Sequence, residues 1–167
     1  ADVIKLFRSY RSTLEITGFT QRIHRNPDLV AMERHGPEPR VTGFENNAKE
    51  AEEIKRLIEE FSLSGRHSLA IITKTQQQSK FLFGALKKSG VHMLTVDSTS
   101  FKSGVIITTA HLAKGLEFDE VVVPFASARN YHTEVDRRML YIACTRAMHQ
   151  LTLTYSDKLT PLIEKSY

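Results

Sequence analysis

The stretch that decides the fold is residues 69–78, which read Leu-Ala-Ile-Ile-Thr-Lys-Thr-Gln-Gln-Gln. Its first four residues form a continuous apolar run, which is typical of a β-strand buried on both faces of a parallel sheet. Thr75 and Gln78 have the spacing of a capping box, so a helix is predicted to begin directly after the strand. Alternation of apolar strands with helices is characteristic of an α/β domain with a mostly parallel sheet.

The same alternation continues in both directions along the chain. Further strands are predicted at residues 3–7, 41–44, 91–96, 105–109, 121–123 and 151–155. Helices are predicted at residues 14–23, 48–61, 76–86 and about 134–147. Ser12 or Thr13 is the expected N-cap of the first helix. Asn47 is expected to cap the second, with Glu50 as its capping-box partner.

Length and composition limit the class of protein. The chain has 167 residues, enough for roughly one domain, so residues 1–167 are expected to form a single unit. Hydrophobic residues make up 41% and charged residues 25%, which argues against a disordered chain. No apolar run approaches the roughly 18 residues of a membrane helix. The net charge of +4 permits a nucleic-acid partner without requiring one.

Two further features concern the origin of the chain. Cys144 is the one cysteine, so an intramolecular disulfide is excluded, and a reducing compartment such as the cytoplasm is expected. The sequence starts at Ala1 rather than Met, inside a predicted strand. We therefore expect it to be a fragment of a longer protein.

The first group of residues with chemical potential is Ser-Tyr-Arg-Ser-Thr at positions 9–13, just after the first predicted strand. The ordinary interpretation is a solvated arginine beside a hydroxyl-capped helix. A functional role requires Arg11 to lie at the carboxyl-terminal edge of the sheet, where α/β folds bind ligands. An aromatic neighbour such as Tyr10 can stack on a base.

The second group is the segment at residues 108–118, which joins two predicted strands. It contains His111, Lys114 and Gly115 together with two hydroxyl side chains, a composition that suits phosphate contacts. The alternative is a crossover loop with a solvated lysine and a surface histidine. The acidic pair at residues 119–120 precedes its strand rather than following it, so we do not interpret it as a magnesium site.

The third group is the helix that contains residues 136–147. On a helical wheel, Arg146 falls inside the apolar face. That face is predicted from Val135, Met139, Ile142 and Ala143. A buried charge there needs a partner or an anionic ligand, because burying it unpaired is costly. An ion pair with a carboxylate at the edge of the core is the structural alternative to a ligand.

Together these segments resemble motifs of the second RecA-like domain of superfamily 1 helicases of the UvrD/Rep type. The motif S/N-Y-R-S-T matches residues 9–13, and T-x-H-x-A-K-G-L-E-F matches residues 109–118. The motif R-R-x-x-Y-x-x-x-T-R-A matches residues 137–147, and residues 72–82 are similar to a weaker motif between them. The resemblance implies a three-layer sandwich of the P-loop NTPase type around a mostly parallel sheet.

The resemblance also implies contacts to ATP. Tyr10 matches the residue that stacks on adenine, and Glu117 the residue that contacts the ribose. Gly115 belongs to the same nucleotide-binding motif. Arg11 and Arg146 resemble the two catalytic arginines that reach the γ-phosphate. Guanidinium groups stabilise charge that develops on the transferred phosphoryl group, an effect of ~10³–10⁵ in rate.

The remaining implications concern nucleic acid and the rest of the ATP site. Thr109 and His111 resemble residues that contact the backbone of single-stranded DNA. The sequence contains no G-x-x-x-x-G-K-[ST] loop, the Walker A motif of P-loop NTPases. The resemblance places that loop and the Mg²⁺ ligands on an upstream RecA-like domain, so this chain is expected to hold no metal. The isolated fragment is therefore expected to be inactive, with half of an ATP site.

The branch within the family is predicted from a short connection. Residues 97–102 alone separate two predicted strands, where many family members carry a large insertion. A short connection resembles the HelD or helicase-IV-like branch, and HelD-type proteins associate with RNA polymerase. An ATP-driven remodelling factor of RNA polymerase is therefore the alternative to a DNA helicase or translocase. An unrelated nucleotide-binding α/β domain is disfavoured because no G-x-G-x-x-G follows any predicted strand.

Overall fold

The computed structural model describes residues 12–27, 33–95 and 103–163. In chain order its elements are α1 (Leu14–Gln21), β1 (Arg40–Phe44), α2 (Asn47–Ser64), β2 (Ser68–Thr73), α3 (Gln76–Ala85), β3 (His92–Met93), β4 (Gly104–Thr109), α4 (Ala110–Ala113), β5 (Phe118–Val123), α5 (Glu134–Thr145) and β6 (Ala147–Ser156). The six strands form one sheet in the order β1-β6-β5-β2-β4-β3. All of these strand pairs are parallel, which confirms the predicted α/β class.

Helices cover both faces of the sheet. On one face, α1, α4 and α5 pack against a core that includes Ala70 and Ile72 of β2. On the other face, α2 and α3 pack against Leu69 and Ile71 of the same strand. These four residues are at most 1% exposed, as expected of a strand buried on both sides. None of the helices described is both long and apolar enough to cross a bilayer.

Several local predictions are confirmed. Thr13 caps α1, because its hydroxyl oxygen accepts a hydrogen bond from the Ile16 amide. Thr75 and Gln78 form the predicted capping box of α3. The strand predicted at residues 91–96 is described only as His92–Met93, and the strand predicted at residues 3–7 lies outside the described residues.

The predicted cap of α2 is wrong by one residue. Asn46, not Asn47, caps the helix, since its side-chain oxygen accepts a hydrogen bond from the Lys49 amide at 2.9 Å. Glu50 therefore lies beyond the capping-box position, and its side chain is fully buried instead. Its carboxylate accepts hydrogen bonds from the Phe125 amide at 2.9 Å and from two hydroxyl groups, those of Thr154 at 2.7 Å and Ser156 at 2.6 Å. This one carboxylate joins α2 to the ends of β5 and β6.

The predicted apolar face of α5 is also partly wrong. Val135 is 62% exposed, and the buried stripe of the helix is Asp136, Leu140, Ala143 and Cys144. The helix ends at Thr145, so Arg146 is its C-cap and Ala147 already begins β6. The buried residues 136, 140, 143 and 144 of the helix face the sheet. Their spacing places them on one side of a helix, as the spacing of the predicted residues also does, so the pattern alone does not distinguish the two faces.

We expect Glu50→Ala to lower the free energy of unfolding by about 2–4 kcal/mol, because it leaves three hydrogen-bond donors at a buried position without their acceptor. Glu59→Ala, at an exposed position on the same helix, is the matched control and should change stability by less than about 0.5 kcal/mol. Urea denaturation of both variants measures the difference. Equal stability of the two variants would contradict a structural role of the buried carboxylate.

Candidate functional site

A cavity of about 500 Å³ opens at the amino-terminal edge of the sheet. Gly115, Glu117 and Arg146, which the sequence predicts to contact ATP, all line it. Its other lining residues are Ser12, Lys114, Ile142, Thr145 and Met148. The loop with Gly115 and Glu117 directly precedes β5, and Arg146 directly precedes β6. These strands are parallel neighbours, so their starting residues lie side by side.

Hydrogen bonds at the start of β6 hold three separate segments around this cavity. The Phe118 amide donates to the Arg146 carbonyl at 2.9 Å. The Ser12 hydroxyl donates to the Ala147 carbonyl at 2.8 Å, and the Thr13 amide donates to the Met148 carbonyl at 3.2 Å. Tyr10 and Arg11, which precede Ser12 in the sequence, lie outside the described residues.

Arg146 is half-buried and held by neutral oxygen atoms. Its guanidinium donates to the carbonyls of Ile142 at 3.1 Å and Leu116 at 3.2 Å, and to the Thr145 hydroxyl at 3.1 Å. Burial lowers the pKa of Arg146, while the nearby Glu117 carboxylate raises it. These three bonds use three of the five N–H groups of the side chain, so the described part of the chain leaves two for an anion.

The loop before β5 forms another part of the cavity wall. Gly115 has a φ of 86°, a left-handed conformation that residues with a side chain adopt only at a cost. Lys114 and Glu117 on either side of it are both exposed. The cavity therefore combines an ammonium and a guanidinium group with one carboxylate. Cations of this kind bind phosphate groups, and a carboxylate accepts hydrogen bonds from sugar hydroxyls.

Thr109 and His111 lie at the carboxyl-terminal edge of the sheet, the edge opposite the cavity. Thr109 ends β4 opposite Thr73, the last residue of β2. Its hydroxyl oxygen accepts a hydrogen bond from the Leu112 amide and caps α4, whereas His111 on that helix is exposed. The structure thus separates these two residues from Gly115, Glu117 and Arg146, the predicted nucleotide contacts that it describes.

Arg11, which a functional role was predicted to place at the carboxyl-terminal edge, lies outside the described residues, whereas the described nucleotide contacts lie at the amino-terminal edge. α4 and the loop after it return the chain from the end of β4 to the start of β5. Gly115 and Glu117 are carried with it to the amino-terminal edge. Ser12 is also found there, because its hydroxyl donates to the Ala147 carbonyl at the start of β6.

Helix α5, which presents Arg146, is anchored at its other end by an ion pair that the sequence did not reveal. The Lys74 ammonium lies 2.7 Å from a carboxylate oxygen of Asp136, which is 7% exposed. Burial by itself raises the pKa of Asp136, but hydrogen bonds from His132, Lys74 and Thr133 outweigh it, and the net pKa is well below its ordinary value. Lys74 and Asp136 are distant in sequence, and neither has a local pattern that indicates pairing.

The comparisons with known proteins agree on one protein family. Two models of the UvrD-like helicase C-terminal domain match residues 4–103 and 104–154. DNA helicase II of Escherichia coli K12 and that of Salmonella typhimurium LT2 are each 37% identical over 68 residues. The match takes in 35% of this chain but only 9% of the length of either relative.

A solved structure is similar over nearly the whole chain. It is the C-terminal domain of a possible DNA helicase from Lactobacillus plantarum WCFS1, which is 36% identical. The superposition has a TM-score of 0.77 and covers 93% of this chain and 92% of that one. The fold of this chain is therefore shared with a domain of about the same extent.

The lowered pKa of Asp136 predicts a pH dependence of stability. A carboxyl group whose pKa is lowered on folding stabilises the protein above its unfolded pKa of about 4, and this contribution is lost as the pH falls towards the folded pKa. We expect the free energy of unfolding to fall more steeply below about pH 4 in the wild type than in Asp136→Asn. Denaturant titrations at several pH values measure both slopes.

Asp157→Asn is the matched control for this experiment. The Asp157 side chain is 68% exposed and lies 3.9 Å from the exposed Arg129, a geometry that contributes little to stability. This variant should keep the wild-type slope. Parallel curves for the wild type and Asp136→Asn would mean that the buried ion pair does not control acid stability.

Proposed function

The chain belongs to the UvrD-like helicase C-terminal domain family, and on that premise we propose that it is the second RecA-like motor half of an ATP-dependent DNA helicase or translocase. The observation that carries the proposal is the cavity at the amino-terminal edge. Three predicted nucleotide contacts, Gly115, Glu117 and Arg146, reach it from separate parts of the sequence.

The residues of the cavity fit one side of a bound nucleotide. Arg146 retains N–H groups for a phosphate, Lys114 adds a second cation, and Glu117 can accept hydrogen bonds from ribose hydroxyls. As the resemblance implies, the Mg²⁺ ligands and the phosphate-binding loop are proposed to belong to an upstream RecA-like domain.

In this proposal ATP is bound between the two domains, and the chain supplies transition-state stabilisation. ATP with Mg²⁺ is the proposed substrate, and it supplies both the transferred phosphoryl group and the leaving group. Arg146 is oriented by the carbonyls of Ile142 and Leu116, so its remaining N–H groups are fixed in direction before a nucleotide binds. Arg11 is the proposed second arginine, and Tyr10 the proposed adenine contact.

Single-stranded DNA is the proposed substrate of the opposite edge. Exposed His111 and the end of β4 at Thr109 are the proposed backbone contacts. Since α4 and the following loop join this edge to Gly115 and Glu117, one short segment touches both proposed ligands. A displacement of that segment on nucleotide binding would alter the proposed contacts to single-stranded DNA.

The branch of the family is a further proposal. In this chain β3 ends at Met93 and β4 begins at Gly104, so the connection has no room for a large subdomain. This supports the HelD or helicase-IV-like branch. A factor that remodels RNA polymerase would use the same ATP cavity, so the cavity does not distinguish the two functions. They are distinguished by two assays, one for unwinding of a partial duplex and one for binding of RNA polymerase.

Arg146→Ala in the full-length protein should lower ATP turnover by at least ~10³, with ATP binding weakened much less, because an arginine that contacts the transferring phosphoryl acts mainly in the transition state. The loss of its hydrogen bonds should also cost about 1–3 kcal/mol of stability. Turnover numbers and melting temperatures are measured on the same preparation.

Arg138→Ala is the control, since Arg138 is an exposed arginine on the same helix. It should retain turnover and stability. If Arg146→Ala proved destabilised but its folded fraction kept near-normal turnover, Arg146 would be a structural residue and the proposal for it would fail.

The 167-residue chain alone should show no ATP hydrolysis above background, with or without single-stranded DNA. The reason is that the backbone cradle of a P-loop and the Mg²⁺ ligands supply most of the phosphate binding. Release of inorganic phosphate is the readout, and Arg146→Ala purified in parallel reports contaminating ATPases. Turnover that disappears in this variant would refute the half-site assignment.

A further inference from the structure

The wall of the proposed nucleotide cavity at Ser12 is also held by the loop that precedes β1. Residues 12–14 lie between the start of β6 and this loop. Hydrogen bonds to the main-chain carbonyls of β6 hold one side of the segment. On the other side the Leu14 amide, which has no acceptor within its own helix, donates to the Arg34 carbonyl at 2.9 Å. Two other segments of the chain therefore fix the start of α1.

Glu15, in the first turn of α1, contacts the same loop with both of its carboxylate oxygens. One oxygen lies 2.7 Å from Nδ1 of His35, and the other accepts a hydrogen bond from the Gly36 amide at 2.8 Å. We call these two contacts the Glu15 bridge. The side chain of Glu15 is 16% exposed, although that of His35 is 78% exposed. The hydrogen bonds from His35 and Gly36 lower the pKa of Glu15, so the bridge contains a charged carboxylate at neutral pH.

The loop and α1 are closely packed at Gly36. A Cβ atom at this position would lie 2.8 Å from Cγ2 of Thr13 and 3.4 Å from the carbonyl oxygen of His149. Thr13 is 1% exposed and its hydroxyl caps α1, so its side chain cannot move away into solvent. A residue larger than glycine at position 36 would therefore displace the segment that contains Ser12.

We propose that Glu15 is a positioning residue for the nucleotide site: it holds the loop at residues 34–36 against α1 and so sets the position of Ser12 in the cavity wall. The inference rests on the proposed function, because it takes the cavity to be the ATP site. Glu15 does not line the cavity and acts through Ser12, which does. The loop also approaches Met148, another lining residue, whose carbonyl oxygen is 3.5 Å from the Arg34 guanidinium.

A displaced cavity wall is expected to change nucleotide binding rather than the chemical step. Ser12 would face the nucleotide in the ground state and in the transition state alike. An interaction made equally in both states changes KM and leaves kcat unaltered. Arg146, in contrast, is proposed to act mainly in the transition state. The effect of Glu15 is therefore distinguishable from that of the proposed catalytic arginine.

The test is the ATPase kinetics of the full-length protein. Glu15→Ala should raise KM for ATP about tenfold and change kcat less than about twofold, because it removes both contacts of the bridge and displaces a binding wall. His35→Ala should raise KM less, since the Gly36 contact remains. Glu38→Ala is the matched control, because Glu38 is an exposed carboxylate of the same loop, and it should keep the wild-type KM. A titration with a fluorescent ATP analogue should show the same order of affinities.

A second pair of variants tests the same contact from the side of the loop. Gly36→Ala leaves the Glu15 carboxylate in place but introduces the Cβ atom that would meet Thr13, so it should also raise KM. Thr13→Ser removes Cγ2 and keeps the hydroxyl that caps α1. In the Gly36→Ala background it should therefore restore KM, a non-additive result expected of residues in contact. This pair decides the question if Glu15→Ala does not fold.

The possible failures are distinguishable. If the Glu15 bridge were merely structural, kcat of Glu15→Ala would fall in proportion to its folded fraction and KM would stay at the wild-type value. That result, or an unchanged KM in Gly36→Ala, refutes the positioning role and leaves the proposed function intact. An equal rise of KM in Glu38→Ala also refutes it. If the wild-type protein neither binds nor hydrolyses ATP, both proposals are overturned.

Discussion

The proposed nucleotide cavity at the amino-terminal edge depends on the main-chain carbonyls of residues 146–148. They accept hydrogen bonds from Phe118, Ser12 and Thr13, which belong to segments far apart in the sequence. Ser12 and Ala147 alone are separated by 135 positions. Because β6 begins at this point beside β5, any shift in its register would move Arg146 relative to the loop that contains Glu117.

A buried carboxylate has a similar role at the opposite edge. Glu50 connects α2 with Phe125, Thr154 and Ser156, and so fixes where β5 and β6 end. A buried acid satisfied by three donors is strongly tied to its position, since losing any of them exposes an unpaired polar group. A second cavity, of about 480 Å³, lies at this carboxyl-terminal edge, and Phe125 and Ser156 are among its lining residues.

The two cavities lie at opposite ends of β5 and β6, and most side chains of β5 are buried. Close-packed protein interiors transmit strain rather than absorb it. The segment α4 with its following loop is the short connection that reaches both edges. This arrangement gives a physical route by which events at one proposed ligand site can affect the other.

Local patterns in the sequence were sufficient for much of the fold. The apolar run at residues 69–72 and the capping box of Thr75 and Gln78 depend on neighbours within a few positions, and both are confirmed. The face of α5 and the cap of α2 were each misplaced by about one residue. A helical pattern alone tolerates such a shift, and packing against the sheet decides it.

The sequence by itself determined the α/β class, the parallel sheet and the order of the motifs, because these follow from periodicity and covalent connection. It did not determine the edge at which each motif lies, the ion pair of Lys74 and Asp136, or the contact of Glu15 with His35. Those depend on strand order and register, which bring together residues as far apart as Glu50 and Ser156, 106 positions distant. Contacts between such residues leave no local pattern, so only the tertiary structure decided them.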